Sequence, residues 1–289
     1  MINVFVYGTL RNGEANDHLL RNTRIAEQSW TNGLMYDTGY GYPAMSPTRS
    51  SRIYGELYSV TEAELLRLDQ LEGYTEGSKD NLYERIEQIV FTDKGSFHAY
   101  MYIASKENLL KKKIPNGDWK EHNLLSRQND SFLYFAYGSC MDQKRFIEDE
   151  VAHYFQNMLG VGVLPNYTFR FTRKSSIDGM GRADIVEEGG RVEGKVYEIP
   201  VKALKGYLYN REGAPQAYRP TFVTIELNGK KVQALTFVVV NKKIETAPPD
   251  WYQEEILRGA NGFLSIDYIS NIKSHINSLI KSNQKTGGM

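Results

Sequence analysis

The sequence predicts a strand-rich α+β protein built from two tandem copies of one domain. Three observations carry this reading. The chain has 289 residues, long for one small domain and natural for two of roughly 130–150 residues. Short β-branched and aromatic runs recur, while helical periodicity is sparse. Three landmarks return in one order. Tyr7 matches Tyr137 at an offset of 130, Gly55-Glu-Leu-Tyr58 matches Gly194-Lys-Val-Tyr197, and Glu72-Gly73 matches Glu212-Gly213. Gly55 to Gly73 spans 18 residues and Gly194 to Gly213 spans 19, a period too long for a solenoid.

In the first half the pattern predicts strands over 3–7, 51–59, 83–91 and 96–103. In the second it predicts strands over 133–137, 167–172, 183–186, 191–198, 218–227 and 231–239. Asn228-Gly229 between the last two is a hairpin signal. Thr61-Glu-Ala-Glu64 is a capping box, so a helix is expected to about residue 71. Pro200 suits the first turn of a second helix, to residue 210. Residues 249–258 and 265–281 read as C-terminal helices, with 284–289 frayed. The polar, turn-prone stretch Ser126-Arg-Gln-Asn-Asp-Ser131 is the expected boundary. The expected domains are therefore 1–127 and 131–289.

Lysine plus arginine equals aspartate plus glutamate, 35 each, so no global field favours nucleic acid or a membrane. Lys111-Lys112-Lys113 reads as a solvated loop. Cys140 is the single cysteine, which excludes an intramolecular disulfide and suits a reducing compartment. The start lacks a basic n-region and breaks at Gly8 and Arg11, so no signal peptide is expected. Apolar runs such as 236–240 are too short to cross a bilayer. A cytoplasmic location is the resulting expectation. The histidines His18, His98, His122, His153 and His275 show no metal-ligand spacing, and HExxH and CxxC are absent. Gly39-Tyr-Gly41 and Gly179-Met-Gly181 lack the third glycine of a dinucleotide fingerprint. No cofactor is expected.

The chemistry lies in two repeated features. Strands ending in Tyr7-Gly8-Thr9 and Tyr137-Gly138-Ser139 stop at a glycine and a hydroxyl. A glycine there exposes backbone N–H groups that suit an anion, and the hydroxyl adds a donor. An isolated Tyr-Gly-Thr is normally an ordinary turn, and repetition is what argues against that. The second feature is a carboxylate. Leu65, Leu68 and Glu72 share one helix face, as do Val201, Leu204, Leu208 and Glu212. A carboxylate extending an apolar stripe is desolvated, which raises its pKa toward the range of a general acid/base. Gly73 and Gly213 follow directly and leave room beside it. The plain alternative is a solvated glutamate at a glycine helix stop.

These residues resemble a known superfamily. VFVYGTLRNGE with Tyr42-Pro-Ala-Met45, GELY and LDQLEGY resembles the gamma-glutamylamine cyclotransferase branch of the gamma-glutamylcyclotransferase-like, or AIG2-like, proteins. YFAYGSCM with Gly181-Arg-Ala-Asp-Ile185, GKVYEI and REGAPQAYRP is similar to the gamma-glutamylcyclotransferase branch proper. The resemblance implies a small mixed-strand β-barrel with flanking helices in each half. It implies Glu72 and Glu212 as acid/base residues. It implies one pocket lined by Tyr7, Gly8, Thr9 and Leu10 and another by Tyr137, Gly138, Ser139, Cys140 and Met141, with Tyr83 and Tyr218 packed nearby. Cys140 stands where the family usually has asparagine, which puts the second pocket's activity and specificity in question.

The implied reaction is closure of a gamma-glutamyl compound's α-amine onto its own γ-carbonyl, giving 5-oxoproline and an amine or amino acid. The nucleophile is tethered, so the protein mainly folds the chain back and moves a proton. No metal, cofactor or protein nucleophile is called for. The expected partner is thus a small gamma-glutamyl substrate. Two other readings stay open. Cys140, with His153 in the same half, would be the nucleophile of an amidase or acyltransferase. Alternatively, one or both pockets bind an acidic metabolite without turnover.

Overall fold

The computed structural model describes residues 1–20, 23–126 and 130–286, with backbone alone for 283–286. Residues 127–129 of the expected boundary and 287–289 of the expected tail lie outside the described residues. The chain divides into two compact units, Met1–Ser126 and Arg127–Met289.

The first unit contains β1 (Ile2–Val6), β2 (Arg24–Asn32), β3 (Leu34–Asp37), β4 (Pro43–Ser46), β5 (Arg52–Val60), α1 (Glu62–Glu72), β6 (Tyr83–Thr92), β7 (Gly95–Ala104), β8 (Lys112–Ile114) and α2 (Trp119–Ser126). Five strands close a barrel in the order β1-β5-β2-β6-β7, and β4-β3-β8 form a small sheet. Only the β1–β7 pair is parallel among the barrel pairs.

The second unit contains β9 (Ser131–Ala136), α3 (Gln143–Glu148), β10 (Met158–Pro165), β11 (Thr168–Lys174), β12 (Gly181–Val186) and β13 (Arg191–Pro200). A π-helical turn, Leu204–Leu208, then runs into α4 (Tyr209–Glu212). β14 (Tyr218–Leu227), β15 (Lys230–Val239), α5 (Asp250–Ala260) and α6 (Ile266–Thr286) complete it. Its barrel order is β10-β13-β9-β15-β14, again with one parallel pair, β9–β15. The circuits are the same: β1, β5, β2, β6 and β7 take the places of β9, β13, β10, β14 and β15.

Local chemistry explains the landmarks. Thr61 accepts from the Glu64 amide while the Glu64 carboxylate accepts from the Thr61 amide at 2.8 Å, so α1 starts on a complete capping box. Gly73 and Gly213 end the paired helices at φ 62° and 61°, the left-handed region. Asn228 and Gly229 have φ 51° and 75°, as the tight β14–β15 turn demands. Gly55 and Gly194 serve another purpose. A Cβ at Gly55 would lie 2.2 Å from the Val6 carbonyl oxygen, and one at Gly194 would lie 2.5 Å from that of Ala136. Each glycine lets β5 or β13 cross the strand that ends in the Tyr-Gly turn.

Several elements are hidden in the sequence. β2 buries Glu27, Gln28, Ser29 and Thr31 and carries two register shifts, so it shows no apolar alternation. β10 reads MLGVGVLP and bulges near Gly160. Lys112 and Lys113 belong to β8 rather than a loop, yet stay exposed. Pro200 does not start the second helix as expected but ends β13, paired with Ser131, and the helix after it is π-wound over Leu204–Leu208. The last helix runs to Thr286, past the point where fraying was expected. Among the described residues, no helix is long and apolar enough to cross a membrane.

Two candidate active sites

β1 delivers Tyr7 to a tight turn beside α1. A cleft of about 280 Å³ opens there, near the lower end of small-molecule pockets. Tyr7, Gly8, Thr9 and Leu10 line it, with Glu72 and Tyr83 among the facing residues. The Gly8 carbonyl accepts from the Arg11 amide at 3.1 Å and closes the turn. A side chain at Gly8 would meet the Pro43 ring at 2.8 Å, so the turn needs glycine for space. The Thr9 and Leu10 amides donate to no protein acceptor among the described residues. Asn16 donates to the Thr9 hydroxyl at 3.1 Å and to the Thr9 carbonyl, through its amide, at 2.8 Å. The Thr9 hydroxyl proton is thereby left for an acceptor in the cleft.

Glu72 is the last residue of α1 and half-buried, on the face that buries Leu65 and Leu68. Burial pushes its carboxyl up to about 7. No hydrogen bond reaches that carboxyl among the described residues. One turn earlier, Asp69 accepts from Arg85 at 2.5 Å and from the Tyr102 hydroxyl at 2.8 Å. These contacts pin α1 to β6 and β7 and aim Glu72 at the cleft. Burial raises the hydroxyls of Tyr7 and Tyr83 well above the usual range, and the Glu72 charge adds to this. Both therefore stay protonated and act as donors. Tyr7 donates to the Tyr102 carbonyl at 2.7 Å and Tyr83 to the Pro43 carbonyl at 3.0 Å. Tyr83 thus contributes a ring wall, its proton already committed.

A buried ionic cluster holds the far end of the turn. Glu56, 1% exposed, accepts from the Asn12 amide at 3.0 Å and the Tyr58 hydroxyl at 2.7 Å. Arg11 reaches Glu56 at 3.4 Å and Asp118 at 2.8 Å. Burial opposes ionisation of Glu56, but Lys120, Arg11 and Arg24 outweigh it and hold the carboxyl near 2. Good geometry with satisfied hydrogen bonds is what lets such a group stay charged.

The second site has the same parts in a different state. Tyr137, Gly138, Ser139 and Cys140 meet Glu212 and Tyr218 around a cavity of only about 30 Å³, room for a water or two. Met141 does not border it; that side chain is fully buried, and its carbonyl accepts from Lys195 at 2.9 Å. Tyr137 donates to Phe237 and Tyr218 to Ala183, both at 2.7 Å, repeating the tyrosine contacts of the first unit. The Cys140 thiol donates to Glu212 at 3.1 Å, and Arg211 donates to the Ser139 hydroxyl at 2.8 Å. Burial raises the Glu212 carboxyl, against the pull of Arg211 and the Cys140 hydrogen bond. Burial, with the Glu212 charge, pushes the Cys140 thiol up to about 12. A thiol held neutral in this way is a poor nucleophile. Tyr252 of α5 fills the remaining space. Its hydroxyl accepts from the Ala183 amide at 3.2 Å.

Sequence patterning brings Glu72, Tyr7, Gly8, Thr9 and Leu10 into one cleft, and Glu212 beside Tyr137, Gly138, Ser139 and Cys140. It misses Asn16, Glu56, Asp69 and Tyr252. Asp69 was findable, since it sits three residues before Glu72 on one helix face. Tyr252 carries no such signal, because α5 reaches the site through the fold alone.

The model for the family described as gamma-glutamyl cyclotransferase, AIG2-like, matches residues 4–121. That for the AIG2-like family matches residues 191–272. A Bacillus subtilis protein named "Putative gamma-glutamylcyclotransferase YkqA" is 43% identical over 96% of this chain and 98% of its own. The crystal structure of YkqA superposes with a TM-score of 0.86 over the same shares at 42% identity. A Niallia circulans protein, gamma-L-glutamyl-butirosin B gamma-glutamyl cyclotransferase, is 36% identical over 43% of this chain and 79% of its own. With both barrels and both Tyr-Gly turns repeated, the chain belongs to the gamma-glutamyl cyclotransferase, AIG2-like family and carries its domain twice.

Proposed function

We propose that the first unit is a gamma-glutamyl cyclotransferase in which Glu72 is the acid/base and the Tyr7–Leu10 turn holds the glutamyl carboxylate. The observation that carries this is the half-buried, unpartnered Glu72 carboxyl, raised to about 7, in one cleft with the unused Thr9 and Leu10 amides. The names of the Bacillus subtilis and Niallia circulans relatives support it.

The substrate's α-carboxylate accepts from the Thr9 and Leu10 amides and the Thr9 hydroxyl, which folds the chain back. Glu72 takes a proton from the α-ammonium, whose reference pKa is about 8. The freed amine attacks the γ-carbonyl carbon and forms the ring C–N bond. The scissile C–N bond breaks as Glu72 returns that proton to the departing nitrogen, and the second proton, shed by the ring nitrogen, passes through the Glu72 carboxylate to the freed amine, which leaves as its ammonium. The products are 5-oxoproline and an amine. The second unit is a non-catalytic copy, the reading favoured by its 30 Å³ cavity and by Tyr252, Cys140 and Arg211 occupying its polar groups.

The test is 5-oxoproline release from a panel of gamma-glutamyl compounds. Wild type, Glu72→Gln and Glu212→Gln are compared. Loss with Glu72→Gln alone is expected. Undiminished turnover by a folded Glu72→Gln variant rejects the assignment.

A further inference from the structure

We propose that the second unit carries a surface site for a small, multiply charged anion, formed where β11, the β14 approach and the segment after β15 converge. This site does not depend on the cyclotransferase reading.

A groove of about 780 Å³ lies there. Arg173 and Lys174 come from the end of β11, and Lys243 from the segment after β15. Ser175, Ser176 and Gln216 add polar groups, and no carboxylate lines the groove. Three cations facing one concavity in a chain of zero formal net charge are an uneven distribution, and a concave wall focuses their field.

The neighbouring acids are already engaged. Asp178 pairs with Arg182 at 2.8 Å, Asp184 with Lys242 at 2.7 Å, and Glu245 with Arg170 at 3.2 Å and His275 at 2.8 Å. Among the described residues, Arg173, Lys174 and Lys243 make no ion pair. Arg173 is held in place by donating to the Lys174 carbonyl. What sets this groove apart is that three such cations share one concave lining that holds no carboxylate. The matching ligand bears at least two negative charges, as phosphate or carboxylate groups, while Ala217 and Ile244 add a small apolar wall.

Isothermal titration at low salt tests this with pyrophosphate and citrate as probes and acetate as the singly charged control. Pyrophosphate, citrate or both should bind saturably at one per chain, more weakly as salt rises, and acetate should not. The arm that binds assigns phosphate or carboxylate chemistry. The variant R173A/K174A/K243A should weaken binding about tenfold, from two exposed and one half-buried charge contact. The variant K111A/K112A/K113A, equal in charge lost but placed in the other unit, should not weaken it. Unchanged melting temperatures establish that both variants fold. Absence of saturable binding of either probe overturns the proposal, as does equal loss in both triple variants.

Discussion

The thiol of Cys140 donates to the carboxylate of Glu212 at 3.1 Å, whereas the corresponding carboxyl of Glu72 faces an open cleft with no partner among the described residues. One fold thus presents the same helix-terminal glutamate in two electrostatic states. Burial raises both. Only Glu72 is free to exchange a proton with a ligand.

That state sets a pH profile. A base must be ionised in the free enzyme, and the Glu72 carboxyl titrates at about 7. Accordingly, kcat/KM should rise tenfold per unit below about pH 7, flatten above it, and fall again once the substrate's α-ammonium, reference pKa about 8, is deprotonated. The rise should be measured with a substrate whose own groups do not titrate between pH 5 and 7. A plateau reaching down to pH 5 would assign the base to an ordinary carboxylate, not Glu72.

The same shift affects stability. The folded pKa of Glu72 lies above the unfolded value of about 4.3, so the folded state holds the extra proton. Stability is therefore complete below about pH 4.3 and declines as pH rises to about 7, where the buried carboxyl ionises. Glu72→Gln mimics the protonated form. It should raise stability at pH 8 by about 1–2 kcal/mol, discounted for part exposure, and leave it unchanged at pH 4. Thermal melts of both proteins at the two pH values check this. A destabilised variant at pH 8 would show that ionised Glu72 is paired rather than desolvated.

The duplicated turns and carboxylates were legible because each sits at a fixed boundary, a strand end or a helix end, marked by glycine. Barrel closure was not. β2 and β10 hide behind buried polar residues and glycines, and their pairing with β5 and β13 is decided by register across the barrel rather than by local pattern. The state of the second site was also out of reach. Cys140 could be seen to break the expected motif, but Tyr252, Arg211 and Lys195 act on that site through tertiary contacts.

Asp69 should behave as a positioning residue. It holds α1 through Arg85 and Tyr102 without bordering the cleft. Asp69→Asn should lower kcat by roughly 10²-fold, the scale of a small misplacement of a reacting group. The pH midpoint should remain that of Glu72, and KM should change little. A variant that loses stability yet keeps wild-type kcat would restrict Asp69 to holding the fold.

Cys140 is 6% exposed and its thiol is held neutral, near 12. Native protein should resist iodoacetamide at pH 8 and become alkylated only on unfolding. Cys140→Ala should retain full 5-oxoproline release. Loss of activity on native alkylation would restore the thiol nucleophile that the geometry disfavours.

Tyr252 decides whether the second cavity can take a ligand. Its ring borders that cavity and its hydroxyl occupies the Ala183 amide. Tyr252→Ala removes both obstructions, at a cost of about 3–5 kcal/mol typical of losing a buried aromatic ring. In a Glu72→Gln background, expected to turn over no substrate, 5-oxoproline should titrate one site per chain. Adding Tyr252→Ala should raise the stoichiometry to two, with the new site the weaker, because Arg211 and Cys140 still engage Ser139 and Glu212. Measuring above the midpoint of neither variant's melt keeps unfolding out of the comparison. A stoichiometry that stays at one would mean that those two contacts, rather than the tyrosine, keep the second site shut.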